Sequence, residues 1–215
     1  MDVAVAGGHG KIGLRLLRLL AERGDRARGL IRNADQAPDL EAVGAMAVGA
    51  DLENLDADAI ARSIAGVDAV VFSAGAGPGS GPARKRTVDY GAAAKLIAAC
   101  QMNDIDRYLI VSAMGVHDPA ARGPEMTPYY EAKLDADTEL AASGLDYTIV
   151  RPGRLTDDPG TGLVEAAPRL ERGGEIPRDD VAATLLACLD DPGTAGKEFD
   201  LVSGETPIAE AIAAL

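Results

Sequence analysis

Short runs of small apolar residues alternate with longer segments of helical periodicity over the first 155 or so positions, and this alternation leaves few architectures open. The runs are DVAVA at 2–6, RARGLIR, AMAVGAD, VDAVVFSAG, DRYLIVSA and DYTIVRPG. They lack a clean polar/apolar alternation, so they read as strands covered on both faces. Between them, KIGLRLLRLLAERG places Ile12, Leu16, Leu19 and Leu20 on one helical face and stops at Gly24. NLDADAIARSIAG and YYEAKLDADTELAASG repeat the pattern, a long helix is expected over 84–103, and DQAPDLEAVG reads as a weaker one because of Pro38. The spacing predicts an α/β fold: a doubly wound parallel sheet (Rossmann fold) with helices on both faces, built as one domain over 1–215. Beyond Leu155 the rhythm loosens into a TDDPGTG loop, a helix in RDDVAATLLACLDD, a strand in KEFDLVSG and a short final helix. Residues 155–215 are expected to form a small C-terminal lobe on the substrate side.

Hydrophobic residues make up 47% of the chain but aromatics only 3%, so the core must be built from Ala, Val, Leu and Ile. The formal net charge of −13 serves solubility and argues against nucleic acid or an anionic membrane as partner. A small-molecule partner and a monomer or small homo-oligomer are expected. Cys100 and Cys188 each sit in an apolar helical pattern, which suits neither a disulfide framework nor a metal site, and no metal is expected. No apolar run reaches membrane-spanning length and no secretory signal is seen at the N-terminus, so a cytoplasmic location is expected.

The sharpest local signal is GGHGKIG, where Gly7, Gly10 and Gly13 stand at G-x-x-G-x-x-G spacing between the first strand and the first helix. Glycines there let a pyrophosphate approach the backbone, and the helix N-terminus supplies free N–H groups and a positive dipole end. Where a dinucleotide fold often carries an acidic residue for the ribose 2′-OH, this chain has GLIRN; Arg32 favours a 2′-phosphate, hence NADP, with NAD as the alternative and a solvated arginine as the bland reading. Asp51 reads equally as an acceptor for the adenine amino group or as a helix cap. Ser73, Ala74 and Gly75 close the fourth strand with side chains small enough for a cofactor to cross the sheet edge.

Taken in order, the glycine loop, FSAGAG, LIVSAMG, YYEAK and DYTIVRPG resemble the atypical short-chain dehydrogenase/reductases. The branch they look most like holds NAD-dependent epimerase/dehydratase-like, NmrA-like and biliverdin-reductase-B-like NAD(P)-binding proteins, and the likeness covers nearly the whole chain. It implies that Lys11 and Ile12 in the glycine loop, Leu52 beside Asp51, and Arg151, Pro152 and Gly153 after the sixth strand lie against the cofactor. It implies a Tyr-x-x-x-Lys pair, met here by Tyr129 and Lys133 one helical turn apart. In that pattern Lys133 holds the nicotinamide ribose and lowers the Tyr129 pKa, and Tyr129 exchanges a proton with a carbonyl oxygen. Ser112 aligns with the serine of the biliverdin-reductase-B-like branch; in extended members the hydroxyl falls two positions later, where this chain has Met114. Tyr130 has the wrong spacing for the pair, His9 reads as a cofactor neighbour, and His117 as a solvated loop residue or part of the substrate mouth. The expected function is an NADP(H)-binding oxidoreductase of a small carbonyl or quinone-like substrate. The alternatives are a sugar-nucleotide epimerase/dehydratase-like enzyme and a non-catalytic NADP(H) sensor of the NmrA-like type.

Overall fold

In the computed structural model, which describes residues 1–77 and 79–215, the six expected strands are β1 (Asp2–Ala6), β2 (Arg26–Ile31), β3 (Met46–Gly49), β4 (Ala69–Phe72), β5 (Arg107–Val111) and β6 (Asp146–Pro152). They lie in the order β3-β2-β1-β4-β5-β6 with every pairing parallel. The chain winds outward in both directions from β1, so a crevice opens at the carboxyl edge between β1 and β4, where ligands of such sheets bind. Pro78, in the glycine-rich loop after β4, lies outside the described residues.

Successive residues of β1 serve opposite faces of the sheet. Val3 and Val5 join a core with Leu16, Leu17 and Leu20 of α1 (Lys11–Glu22) and with α7 (Arg178–Asp190), while Ala4 and Ala6 join a second core under the helices of the other face. Those helices are α3 (Ala57–Ser63), α5 (Ala93–Met102) and α6 (Thr127–Ala141). The weak helix expected around Pro38 is the six-residue α2 (Ala37–Ala42). Each fully buried Leu or Val contributes about 1.5–3 kcal/mol, so two mainly aliphatic cores, with Phe199 in one and Phe72 and Tyr108 in the other, make up for the shortage of aromatics. Cys100 and Cys188 are free and buried, and burial pushes both thiols up to about 12.

The segment beyond Leu155 extends the sheet. β10 (Lys197–Ser203) pairs parallel to β6, β8 (Leu163–Ala167) pairs antiparallel to β10, and β11 (Thr206–Pro207) antiparallel to β8, giving nine strands. β7 (Arg154–Thr156) and β9 (Glu175–Pro177) form a separate two-stranded sheet, and α8 (Ile208–Ala213) closes the chain. The helix expected over 84–103 begins earlier and changes pitch: α4 (Pro82–Lys85), a π-helical stretch (Arg86–Ala92) and α5 follow without a break. Such π segments concentrate at functional sites, and here the stretch turns Val88, Asp89 and Ala92 inward.

A buried ionic cluster ties β6 to α6. Arg151 is 2% exposed; its Nε donates to Asp137 Oδ2 (2.9 Å), and its Nη2 reaches Glu198. Ser112 Oγ donates to the same Asp137 oxygen (2.9 Å). Burial holds the Asp137 carboxyl above its usual value, opposed by Arg151 and by the Ser112 hydrogen bond. Removing one partner of such a pair leaves an uncompensated buried charge. Arg151→Leu should therefore cost about 3–5 kcal/mol of unfolding free energy at neutral pH. A carboxyl whose folded pKa is raised favours the folded state when protonated, so its contribution is full below the unfolded value and lost as pH rises through the folded one. The penalty of Arg151→Leu should accordingly shrink as the pH is lowered through the acid range, because an Asp137 carboxyl of raised pKa that takes up its proton needs no counter-charge; urea unfolding of the two proteins at several pH values measures it.

Candidate functional site

The glycine loop brings the start of α1 hard against the sheet edge. Gly7 adopts φ +77°, and a Cβ there would come within 2.8 Å of the Ala74 backbone, so the turn requires glycine. A Cβ on Gly13 would run into the carbonyl oxygen of Gly7. Gly10 stands at the helix N-cap in extended conformation with no side-chain hydrogen bond, so the first N–H groups of α1, from Lys11 onward, have no side-chain cap. With the positive end of the helix dipole they form a ready cradle for a phosphate. Ile12 is buried in the core, and the Lys11 ammonium is paired with Asp157.

A cavity of about 330 Å³ runs from this loop along the ends of β1, β2 and β4. Gly7 and Gly10 form one end, Ser73, Ala74 and Gly75 the floor, and Arg32, Asp51 and Leu52 the far wall. Ser73 Oγ donates to the Ala6 carbonyl (3.0 Å), so the hydroxyl fastens β4 to β1. The exposed Arg32 guanidinium has no ion-pair partner among the described residues. Asp51 accepts from the Glu53 N–H (3.2 Å) and from Asn54 Nδ2 (2.8 Å); it caps a turn, and the N-cap of α3 is Asp56. His9 also lines the cavity, with Nε2 donating to Asp39 (2.7 Å) and Nδ1 facing the Gln36 amide (3.2 Å).

A larger cavity, about 1250 Å³, opens on the other side of the edge, over β5 and β6. Met114, Tyr129, Tyr130, Pro152 and Gly153 all line it, as does His117. Burial raises the Tyr129 pKa; the Lys133 charge pulls it down, as the resemblance implies, but does not outweigh burial. Lys133 lies behind Tyr129, with its Nζ 5.9 Å from the ring centroid, 4% exposed, donating to the Val111 carbonyl (3.1 Å). Its counter-charge is Asp89, 3.5 Å away and 1% exposed, which also accepts from the Ala76 N–H (3.3 Å). Asp89 connects the two cavities: Ala76 lines the first, and Lys133 supports Tyr129 at the second. Ser112 and Arg151 are not among the lining residues of either cavity; their polar groups meet at Asp137.

Asp89 was not singled out from the sequence, although a carboxylate inside the otherwise apolar TVDYGAAAKL is a visible anomaly. The arginines of the second cavity were missed for a different reason. Arg122, Arg154, Arg169 and Arg178 come from separate loops and elements and converge only in three dimensions.

These features agree with the comparisons to known proteins. The model of a family described as NAD(P)H-binding matches residues 7–192. The uncharacterized sugar epimerase YhfK of Bacillus subtilis is 46% identical over 213 residues, 99% of each chain. A Bacillus halodurans structure, named as an NAD-dependent epimerase/dehydratase, superposes with a TM-score of 0.94 at 38% identity over the full length of both chains. The oxidoreductase ylbE of Lactococcus lactis superposes with a TM-score of 0.87 at 27% identity, covering 100% of this chain and 96% of that one. The cradle at the start of α1, the sheet order around it and the match over nearly the whole chain together identify this protein as a member of the NAD(P)H-binding family of Rossmann-fold proteins.

Proposed function

We propose that this protein is an NADP(H)-dependent oxidoreductase of the short-chain type, acting on a small carbonyl or quinone-like substrate in the cavity beside Tyr129. The observation that carries the reading is the placement of Tyr129 in the wall of the larger cavity with the buried Lys133–Asp89 pair behind it. The uncapped start of α1 would hold the pyrophosphate, and Arg32 the 2′-phosphate of the adenosine ribose. When bound, the nicotinamide supplies a hydride. The chain's own part is to orient the acceptor and deliver a proton. Tyr129 is suited to the second task because its raised pKa keeps the phenol protonated through the neutral range. Lys133, buried behind the ring and lining neither cavity, fixes its surroundings; a contact of its ammonium with the nicotinamide ribose is what the family resemblance implies.

A second reading follows from the name of the Bacillus subtilis relative, a sugar epimerase. On that reading Tyr129 would take a proton from a sugar hydroxyl and return it, with no net consumption of reduced cofactor. Reductive turnover separates the two: steady loss of NADPH with an aldehyde or quinone acceptor supports the oxidoreductase. Cofactor binding without turnover of any acceptor or sugar nucleotide would leave a sensor.

Cofactor preference tests the Arg32 assignment. NADPH should bind about tenfold or more tightly than NADH, as a charge-assisted contact allows. Arg32→Ala should abolish that preference while leaving NADH affinity nearly unchanged; fluorescence titration with both cofactors reads this directly, and equal affinities in the parent protein would remove the assignment.

Tyr129→Phe should lower reduction of an aldehyde by about 10²–10⁴ with cofactor affinity retained. In the parent protein, with a group of raised pKa as acid, the rate should hold through neutral pH and fall only as pH passes the ordinary tyrosine value of 10.0. Lys133→Met alone would strand the Asp89 carboxylate in the interior, so it should weaken both stability and cofactor binding. The double variant Lys133→Met/Asp89→Asn should recover stability without recovering cofactor affinity, which thermal melts and titration distinguish.

A further inference from the structure

The walls of the larger cavity are rich in arginine although the chain as a whole carries −13. Two of its four arginines are already neutralised. Arg154 Nε donates to Glu175 (3.0 Å), and Arg178 Nη1 donates to Asp157 (2.8 Å). The cavity's carboxylates are Glu171, Asp118 and Asp200; Asp118 accepts from the Ala121 N–H (3.2 Å) and Asp200 from the Leu170 N–H (3.0 Å), contacts that orient both and leave their charge in place. Arg122 and Arg169 remain without an ion-pair partner among the described residues; both are exposed, as is Glu171.

The Arg122 side chain is nonetheless held in place. Its guanidinium lies against the bare Cα of Gly115, where a Cβ would collide with it, and it stacks 5.3 Å from the centroid of the Tyr130 ring. Tyr130 in turn meets Tyr129 edge to face, ring centroids 5.2 Å apart. A planar cation thus lies beside the proposed proton donor, one aromatic ring away from it, and its guanidinium makes no side-chain hydrogen bond among the described residues. Guanidinium groups of this kind receive carboxylates and phosphates in bidentate geometry.

We propose that the substrate carries an anionic group, a carboxylate or a phosphate, and that Arg122 receives it, with Arg169 on the wall of the same cavity as a second contact. The inference rests on the reading of Tyr129 as the proton donor to that substrate. It adds a requirement that the fold and the cofactor do not impose: a neutral carbonyl compound of the same shape is a poor ligand.

The test uses protein saturated with NADP⁺, so that added anions cannot occupy the pyrophosphate cradle. 4-Formylbenzoate, 4-formylphenyl phosphate and the neutral methyl 4-formylbenzoate are titrated by ligand-observed NMR. At least one anion should bind about tenfold or more tightly than the ester, the worth of a charge-assisted contact, and the tighter anion identifies the preferred group. Arg122→Ala should remove that advantage with NADP⁺ affinity retained, and Arg122→Lys should recover only part of it. Arg169→Ala should reduce it by a smaller factor. Equal affinity of ester and anions, no saturable binding of either anion, or an advantage that survives Arg122→Ala would each overturn the proposal. Reduction of the same compounds by the NADPH-loaded protein separates the two readings. Arg122-dependent binding without reduction would sink the oxidoreductase and keep the anion site, whereas reduction of ester and anions with equal efficiency would do the reverse.

Discussion

The close approach of α1 to the end of β1 is the constraint on which the rest of the structure depends. It exists because Gly13 presents no side chain to the Gly7 carbonyl, and because Gly7 can adopt a left-handed conformation against the Ala74 backbone. Once the helix is seated there, Leu16, Leu17 and Leu20 fall on the sheet and α7 packs beside them. Its uncapped N-terminus then points along the crevice between β1 and β4. The first turn leaves backbone donors without intrahelical acceptors, and a bound anion is what satisfies such a helix end. Side-chain capping would have stabilised the helix by about 1 kcal/mol, and its absence keeps these donors available.

The two cavities differ in chemistry because different elements build them. The first is made of strand ends and glycines, with small side chains at Ser73 to Ala76 and the charges of Arg32, Asp51, Glu53 and Arg84 around them, and it suits an extended ligand lying on backbone. The second is made of loops, β7 and the start of α6, with two tyrosines and four arginines, and it suits a polar ligand. Between them runs the π-helical stretch, whose Asp89 contacts the backbone of Ala76 on one side and the ammonium of Lys133 on the other. Among the described residues two ion pairs have both partners buried, Lys133–Asp89 and Arg151–Asp137, and each ties α6 to a neighbouring element. Each pair is costly to break, which fixes the positions of α6 and hence of Tyr129.

Much of this was legible in the sequence. Six strands and most of the major helices announce themselves by period and by glycine stops, because buried parallel strands need unbroken apolar runs. The glycine loop was readable because its position between strand and helix leaves one economical use for it. The short strands β7, β8, β9 and β11 were not, since two to five residues of mixed polarity carry no periodic signal and acquire strand geometry only from neighbours. Ser112 and Arg151 fell at the right points of their motifs, yet nothing local announces that their polar groups would meet at Asp137. The pairing of Lys133 with Asp89 and the convergence of Arg122 with Arg169 depend on side chains far apart in the chain, which no local pattern encodes.

The central claim is that the glycine loop and the start of α1 hold a dinucleotide by its pyrophosphate. Backbone amide shifts of ¹⁵N-labelled protein, followed during titration with NADPH, test it most directly. The largest and saturating changes should fall at Lys11, Ile12 and Gly13, with smaller ones at Arg32 and at Ser73 to Gly75. Saturable binding that leaves the amides of Lys11, Ile12 and Gly13 unmoved would contradict it.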